Sequence, residues 1–140
     1  MSRIFWDTNL FIYLFEGCGD VAKRVALLRQ RMRERGDELC TSTLTFGEVL
    51  VKPVEEGDSK LQQEYADVLR SQATLIDFDW EAAQLYAKVR KDRTIKAPDA
   101  IQLACAAKAQ ADLSITNDDR LSRKIVPGIH FIASLESAPL

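Results

Sequence analysis

The chain has 140 residues, a formal charge of −2, and 46% hydrophobic and 29% charged residues. This length can bury one sizeable core, and the composition is that of an ordinary globular protein, so we expect a single domain over residues 1–140. The small negative charge excludes a protein that binds nucleic acid through its overall charge. Any such contact must come from local basic patches or through metal ions.

Neither a membrane anchor nor an export signal is expected. No apolar run approaches the length of a membrane span. The chain starts with the polar Met1-Ser2-Arg3 and soon reaches Asp7 and Asn9, which does not fit a signal peptide. We therefore expect a cytoplasmic protein with no membrane contact.

The three cysteines, Cys18, Cys40 and Cys105, are odd in number and widely separated, and they form no C-x-x-C pair. This pattern excludes a disulfide framework and a structural zinc site. Cys40 lies in an apolar run and Cys105 in an Ala-rich run, so both are expected to be small core residues.

Short, mostly apolar segments alternate with segments of helical periodicity. The predicted strands are, in chain order, residues 3–7, 39–43, 74–78, 113–116 and 130–133. The predicted helices run from Asp20 to a stop at Gly36, from a start at Asp58 or Ser59, from Trp80 behind an Asp79 cap, and from Pro98 to about Gln110. Such alternation predicts an α/β sandwich with a parallel sheet covered on both faces, but it does not give the strand order.

Four short patches each end in an acid at a predicted junction between elements: residues 6–9, 45–48, 97–100 and 116–119. If these junctions share one sheet edge, four carboxylates converge there with no basic partner built in. At about 5 Å and an effective dielectric near 20, each pair of carboxylates costs roughly 3 kcal/mol. A cluster of this kind is typical of a site that a divalent cation neutralises.

Each acid also has a purely structural explanation. Thr45-x-x-Glu48 fits a capping box, and Asp99 fits the first turn of a helix, where the dipole favours a negative charge. Asp118 fits the cap of a short helix over residues 119–124, and Asp7 fits a simple turn. The joint pattern favours a site, because strand ends and the following helix starts meet at one edge of a parallel sheet, where ligands bind.

The residue types at these positions narrow the chemistry. Oxygen ligands without Cys or His indicate a hard ion, Mg²⁺ or Mn²⁺. The one histidine, His130, lies far from the acidic patches in sequence, which argues against Ser-His-Asp or Cys-His catalysis. No glycine-rich nucleotide-binding motif occurs.

Basic side chains cluster in three places, and each cluster is either an RNA contact or a solvated surface. The clusters are Lys23, Arg24, Arg31 and Arg35 on one predicted helix, residues 88–96 on another, and Arg120, Arg123 and Lys124 near the end. Charge alone does not decide between the two interpretations.

Over essentially its full length the chain resembles the PIN-domain nucleases, and among them the VapC-like toxins of type II toxin–antitoxin pairs. The resemblance rests on four motifs in the family's order: Asp7-Thr8-Asn9, residues 42–48 ending in Glu48, Lys96-Ala97-Pro98-Asp99-Ala100, and Thr116-Asn117-Asp118. Residues 119–121 read Asp-Arg-Leu where the family often has an aromatic, which we interpret as a packing variation.

The resemblance implies a three-layer α/β/α sandwich around a five-stranded parallel sheet of order 3-2-1-4-5. It implies a catalytic metal site of Asp7, Glu48, Asp99 and Asp118, supported by Asn9 and Thr116, with Asp119 as a fifth acid of open role. The implied activity is Mg²⁺- or Mn²⁺-dependent hydrolysis of RNA phosphodiester bonds, in which one or two ions activate a water and stabilise the leaving oxygen. The implied partners are RNA, a small antitoxin protein and a second copy of the chain.

Two other interpretations stay open. A PIN fold that has lost its activity would act as a binding module, although all four acids are present. A different acidic α/β phosphohydrolase is also conceivable, but an Asp-x-Asp phosphatase would need an acid where Asn9 stands. The apolar run of residues 10–15 fits either a partner contact or the core, and core burial is favoured.

Overall fold

Five parallel strands form one sheet within residues 1–138, the part of the chain that our computed structural model describes; residues 139 and 140, which complete the predicted domain, lie outside it. The strands are β1 (Arg3–Trp6), β2 (Glu38–Ser42), β3 (Thr74–Ile76), β4 (Leu113–Thr116) and β5 (Phe131–Ser134). Their order is β3-β2-β1-β4-β5, and every neighbouring pair is parallel. The strand order implied by the family resemblance is therefore confirmed.

Helices cover both faces of the sheet. They are α1 (Thr8–Glu16), α2 (Gly19–Arg35), α3 (Thr43–Glu55), α4 (Ser59–Gln72), α5 (Trp80–Val89) and α6 (Ala97–Lys108), followed by a 3-10 helix (Leu121–Arg123). Helices α5 and α6 pack on one face, and α1 to α4 contribute to the core on the other. The predicted three-layer α/β/α sandwich is confirmed.

Strand β1 shows how the sequence builds two cores at once. Phe5 points into the core that α5 and α6 cover, whereas Ile4 and Trp6 point into the opposite one. All three are buried. A strand buried on both faces needs apolar side chains at every position, because successive side chains point to opposite faces of the sheet.

The predicted helix ends match the observed caps. The carboxylate of Asp58 accepts the backbone N–H of Leu61 at 2.9 Å, and that of Asp79 accepts the N–H of Ala82 at 3.0 Å. Gly36 ends α2 with a φ of 73°, the left-handed conformation that glycine adopts without a steric cost. These local signals placed α2, α4 and α5 to within about one residue.

The start of α3 differs from the capping-box explanation of Glu48. The helix begins at Thr43, and its cap is Ser42, whose hydroxyl accepts the N–H of Thr45 at 3.1 Å. Thr45 is therefore inside the first turn, and Glu48 lies in the second turn, too far along to satisfy a backbone N–H at the helix start. The capping explanation for Glu48 is wrong.

Burial explains the two cysteines that were expected in the core. Cys40 and Cys105 are fully buried, and loss of solvent raises the pKa of their thiols to about 12 and about 11. Cys18 is exposed. The apolar run of residues 10–15 also faces inward, with Leu10 and Phe11 buried and the others partly so.

Two further features concern the surface of the described chain. Helix α5 ends at Val89, so the basic cluster predicted on a helix over residues 88–96 lies mostly in a loop. None of the helices within residues 1–138 combines the length and hydrophobicity that a membrane span needs.

Gly128→Ala is expected to destabilise the fold more than Gly57→Ala. Both glycines have positive φ, 99° and 68°, but a Cβ on Gly128 would lie 3.1 Å from the Cβ and the carbonyl oxygen of Ala107 in α6, whereas one on Gly57 meets open space. The backbone strain costs roughly 1–2 kcal/mol at either site, and the overpacking adds about 1–3 kcal/mol at Gly128. Urea denaturation of both variants measures the difference, and equal losses would contradict it.

Candidate active site

The topology brings the carboxyl ends of β1 and β4 together. From β1 the chain moves outward to β2 and β3 on one side, and later to β4 and β5 on the other, so the strand order reverses between β1 and β4. Ligands of open parallel sheets bind at such a reversal. A cavity of about 350 Å³ opens here, and we call it the acid cleft; its polar lining includes Asp7, Asn9, Glu48 and Asp99.

Asp7 directly follows β1 and is the most deeply placed of the predicted acids. Its Oδ1 atom is buried and accepts no hydrogen bond from the described residues. Burial raises the pKa of Asp7; the hydroxyl of Thr116 and nearby backbone N–H groups, first that of Asn117, oppose the shift. A buried carboxylate oxygen without a donor is costly, and such exceptions need an explanation.

Asp99 lies in the first turn of α6 and is partly buried. Burial raises its pKa, and the negative charge of Asp118 raises it further, while Lys96 and Arg120 act in the opposite direction. The carboxylates of Asp99 and Asp118 thus repel each other electrostatically, as expected for acids gathered at one edge of a sheet.

Glu48 is held by a buried polar network below the cleft. Its Oε1 accepts the hydroxyl of Thr8 at 2.6 Å. The amide nitrogen of Gln102 donates to the hydroxyls of Thr8 at 3.0 Å and Thr45 at 2.9 Å, and Ser42 donates to the Gln102 carbonyl. Ser42, Thr45, Thr8 and Gln102 are all buried.

The donors in this network can be assigned by counting protons. Thr8 uses its one hydroxyl proton on Glu48, so in the 3.0 Å contact between the hydroxyls of Thr8 and Thr45 the donor must be Thr45. Both amide protons of Gln102 are used as well. Every donor of the network therefore has an acceptor, and the chain of hydrogen bonds ends on the Glu48 carboxylate.

Asp118 corrects the expectation that the acids have no basic partner. Its carboxylate pairs with the guanidinium of Arg120 at 3.2 Å and accepts the Arg120 backbone N–H at 2.8 Å. These contacts lower the pKa of Asp118. Asp118 also accepts through its backbone oxygen from Leu121 and Ser122. The predicted helix over residues 119–124 is a 3-10 helix of three residues whose cap is Arg120, so Asp118 is not its cap.

The three supporting residues have different positions. Asn9 is exposed and lines the acid cleft. Thr116 is buried at the end of β4, and its hydroxyl accepts the backbone N–H of Asp118 at 3.1 Å, which leaves its proton free for Asp7. Asp119 is exposed and does not line the acid cleft; its backbone oxygen accepts the hydroxyl of Ser122.

The donor types fit a hard cation, although the side chains do not enclose one. Within residues 1–138, no three Asp, Glu, His or Cys side chains gather closely enough to surround an ion. Mg²⁺ needs no such cage, because it keeps several waters and binds through one or two carboxylates. Asp7 and Asp99, which line the same cleft, offer such a pair, and the unpaired Oδ1 of Asp7 has the open lone pairs that a cation needs.

The structure gives a site role to three residues for which the sequence predicted none at the acids: Thr8, Gln102 and Arg120. Gln102 had a visible signal, because it is three residues after Asp99, on the same side of α6, and is a lone amide in the run 100–107. Thr8 lies inside the Asp7-Thr8-Asn9 motif, in which Asp7 and Asn9 were the predicted site residues. Arg120 follows the acids directly, but its pairing depends on the loop conformation.

Comparisons with known proteins agree with this fold. A model of the PIN domain matches residues 4–125. A chain of the VapBC2 complex from Rickettsia felis, crystallised with a DNA fragment from its promoter, has a TM-score of 0.70 and 17% identity over 94% of this chain and 98% of that one. A comparison with curated protein sequences gave no match.

Two further solved structures have the same architecture. A chain of a toxin–antitoxin complex from Klebsiella pneumoniae has a TM-score of 0.64 and 23% identity, over 90% of this chain and 94% of that one. A chain of VapBC-5 from Mycobacterium tuberculosis has a TM-score of 0.62 and 15% identity, over 96% and 99%. Identities this low concern the fold, but the family model spans most of the sequence, and this protein belongs to the PIN domain family.

Proposed function

We propose that the chain is a metal-dependent endoribonuclease and the toxin of a toxin–antitoxin pair, formed by one PIN-like domain over residues 1–140. One observation carries the proposal: Asp7, Glu48 and Asp99, from three separate elements, line one cleft, where Asp7 has a buried oxygen without a donor. Asp118, from the loop after β4, affects Asp99 electrostatically. A fold without a cationic ligand gains nothing from this arrangement.

The four acids differ in their contacts, and we assign a proposed role to each from those differences. Asp7 and Asp99 are the proposed direct ligands of Mg²⁺ or Mn²⁺, because both line the cleft and no side chain of residues 1–138 pairs with them in a salt bridge. Glu48, fixed by Thr8, and Asp118, fixed by Arg120, are proposed to complete the coordination or to orient water. Thr116 and Asn9 are proposed to orient the site.

A bound divalent cation supplies Lewis-acid chemistry, lowering the pKa of a water and neutralising charge at the phosphate. The chain itself holds the carboxylates in place. Thr8 fixes the Glu48 carboxylate at one wall of the acid cleft, and Asp7 follows the end of a buried strand. Rigid elements of this kind hold reacting groups better than mobile loops do.

The proposed partners follow from the compared structures, whose names describe complexes of the VapBC or toxin–antitoxin type. By that likeness we propose a small antitoxin protein as a partner. The homodimeric state and the cytoplasmic location are further proposals, which rest on the resemblance and composition of the sequence. Exposed apolar side chains on α2 and α3 offer surface for such contacts; they are Val21, Leu27, Val51 and Val54.

A catalytically silent PIN-fold binding module is the second candidate. One observation favours it: Arg120 already neutralises Asp118, and no three acids of the described chain surround a single point. In that case the cleft would bind a cationic partner group without reaction. The unpaired Asp7 oxygen fits a metal ion and a cationic partner group alike, so RNA cleavage decides between the two candidates.

Cleavage of a mixed RNA panel tests the proposal. Purified protein, free of any antitoxin, is incubated with tRNA, ribosomal RNA and messenger RNA in Mg²⁺, Mn²⁺ or EDTA, beside Asp99→Asn and a control, Asp20→Asn, on the exposed start of α2. We expect metal-dependent cuts by wild type and control, and loss of on the order of 100-fold or more in Asp99→Asn.

Two results would contradict the proposal of a metal-dependent nuclease. Cleavage that persists in EDTA, or equally in Asp99→Asn, would show that the acids are not responsible. Folded wild-type protein that cuts no RNA in either metal would favour the binding module.

A further inference from the structure

A second cavity adjoins the acid cleft and has the opposite charge along one side. It measures about 430 Å³, and Asp99 lines both cavities. Asp118 lies at its acidic end, whereas Arg120, Arg123 and Lys124 provide three cations. Moving from the cleft into this cavity, the lining therefore changes from carboxylates to basic groups.

The same basic side chains lead on to a third, larger space. Arg123 and Lys124 also line a groove of about 740 Å³ between the end of α5 and residues 125–127, with Lys88 and Lys91 on its rim. Its lining contains one acid, Asp92, which is already paired with Lys124 at 2.8 Å. We call the second cavity and this groove together the basic channel.

Most cations of the basic channel have no partner of their own. Lys88, Lys91 and Arg123 are exposed and make no side-chain hydrogen bond or ion pair within residues 1–138. The chain as a whole has a net charge of −2, so an excess of unpaired cations beside a cluster of acids is a local feature. Unpaired cations along a groove are the electrostatic footprint of a polyanion.

The groove also offers an apolar floor. Val89, Ile95 and Val126 are buried within it, and Ile125 at its edge is 94% exposed. An isolated exposed side chain needs no explanation, but here it adjoins buried apolar residues and a basic rim. Single-stranded RNA combines both requirements, because its phosphates seek cations and its unstacked bases seek apolar or guanidinium surfaces.

We propose that the basic channel binds the RNA strand on one side of the scissile phosphate, with Arg123 and Lys124 on the first flanking phosphates and Lys88 and Lys91 on later ones. This deepens the proposed function and rests on it. The groove and the acid cleft form one continuous path, since the two cavities share Asp99 and the two parts of the channel share Arg123 and Lys124. An RNA strand that is cut in the acid cleft can continue along this path.

The test compares two charge-matched double variants. Lys88→Gln with Arg123→Gln removes two exposed, unpaired cations of the channel, and Lys60→Gln with Arg70→Gln removes two exposed cations of α4, in the opposite helical layer. Binding of a fluorescein-labelled single-stranded RNA is measured by anisotropy in EDTA over a range of NaCl concentrations. Cleavage of the RNA panel in Mn²⁺ is measured in parallel.

We expect the channel variant to lose two phosphate contacts. The plot of log affinity against log salt should then become shallower by about 1.4, with roughly tenfold weaker binding near 0.1 M NaCl. The α4 variant should match wild type. If the channel and α4 variants bind alike and wild type still cleaves RNA, the channel proposal is overturned and the groove is reassigned to an acidic protein segment. If wild type neither binds nor cleaves RNA, the proposed function itself fails.

Discussion

Asp7→Asn is expected to abolish RNA cleavage, with a loss on the order of 100- to 1,000-fold. An amide cannot supply the negative charge that a hard cation requires, and Asp7 contributes the one buried carboxylate oxygen in the acid cleft that has no donor among residues 1–138. Cleavage rates at saturating Mn²⁺ measure the effect. Asp119→Asn, an exposed neighbouring acid outside the acid cleft, is the matched control and should retain activity.

The same substitution is expected to stabilise the metal-free protein. Burial raises the pKa of Asp7, so the folded state binds its proton more tightly than the unfolded chain does. Stability therefore falls as pH rises from the unfolded pKa to the folded one, and at neutral pH the charged group is a net cost. Removing the charge should therefore raise Tm in EDTA above that of wild type.

Thermal denaturation in EDTA and in Mn²⁺ separates the two effects of Asp7. Wild type should gain stability from Mn²⁺, because a ligand that binds only the folded state stabilises it, and Asp7→Asn should gain little. A lower Tm for Asp7→Asn in EDTA would show that the carboxylate is a structural partner. Equal stabilisation of both proteins by Mn²⁺ would place the cation elsewhere.

Gln102→Leu is expected to cost about 2–4 kcal/mol of unfolding free energy. Leucine has a similar size, but it leaves Ser42 without its acceptor and removes a donor from Thr8 and Thr45, all of them buried. Glu48 then loses the support that orients it through Thr8. We expect cleavage to fall by roughly 10- to 100-fold, as for supporting residues of metal sites.

Gln84→Leu on the exposed side of α5 is the matched control for this change. It should alter stability by less than about 0.5 kcal/mol, as surface substitutions do. Urea denaturation gives both free energies. A loss below that limit for Gln102→Leu would mean that the network relaxes without cost, and that it does not position Glu48.

The parts of the fold that could be predicted are those with local signals. Asp58, Asp79 and Gly36 marked helix ends through their own chemistry, and the structure agrees. Helix α1 was given no bounds, because residues 10–15 are all apolar and so show no helical period. The capping-box explanation of Thr45-x-x-Glu48 fails for a related reason: Ser42, Thr43 and Thr45 can each act as a cap, and only the end of β2 decides among them.

In the candidate site, too, one part could be predicted from the sequence and another could not. The acids could be chosen from sequence because four separate junctions had one in common, and the topology then gathered most of them. The partners of those acids could not be chosen, since they depend on side-chain contacts over long sequence distances. Gln102 lies 94 residues from Thr8, and whether Arg120 turns toward Asp118 depends on one loop conformation.

The ion pair between Arg120 and Asp118 bears on how folding and binding of the proposed cation depend on each other. Acids gathered at a sheet edge would repel one another during folding, but here a guanidinium from the same loop already balances one of them. The metal-free fold therefore has one internal counter-charge at the acid cluster, at Asp118. Under the proposed function, binding of the cation near Asp118 would be partly an exchange of one counter-ion for another, and it would be sensitive to competition from salt.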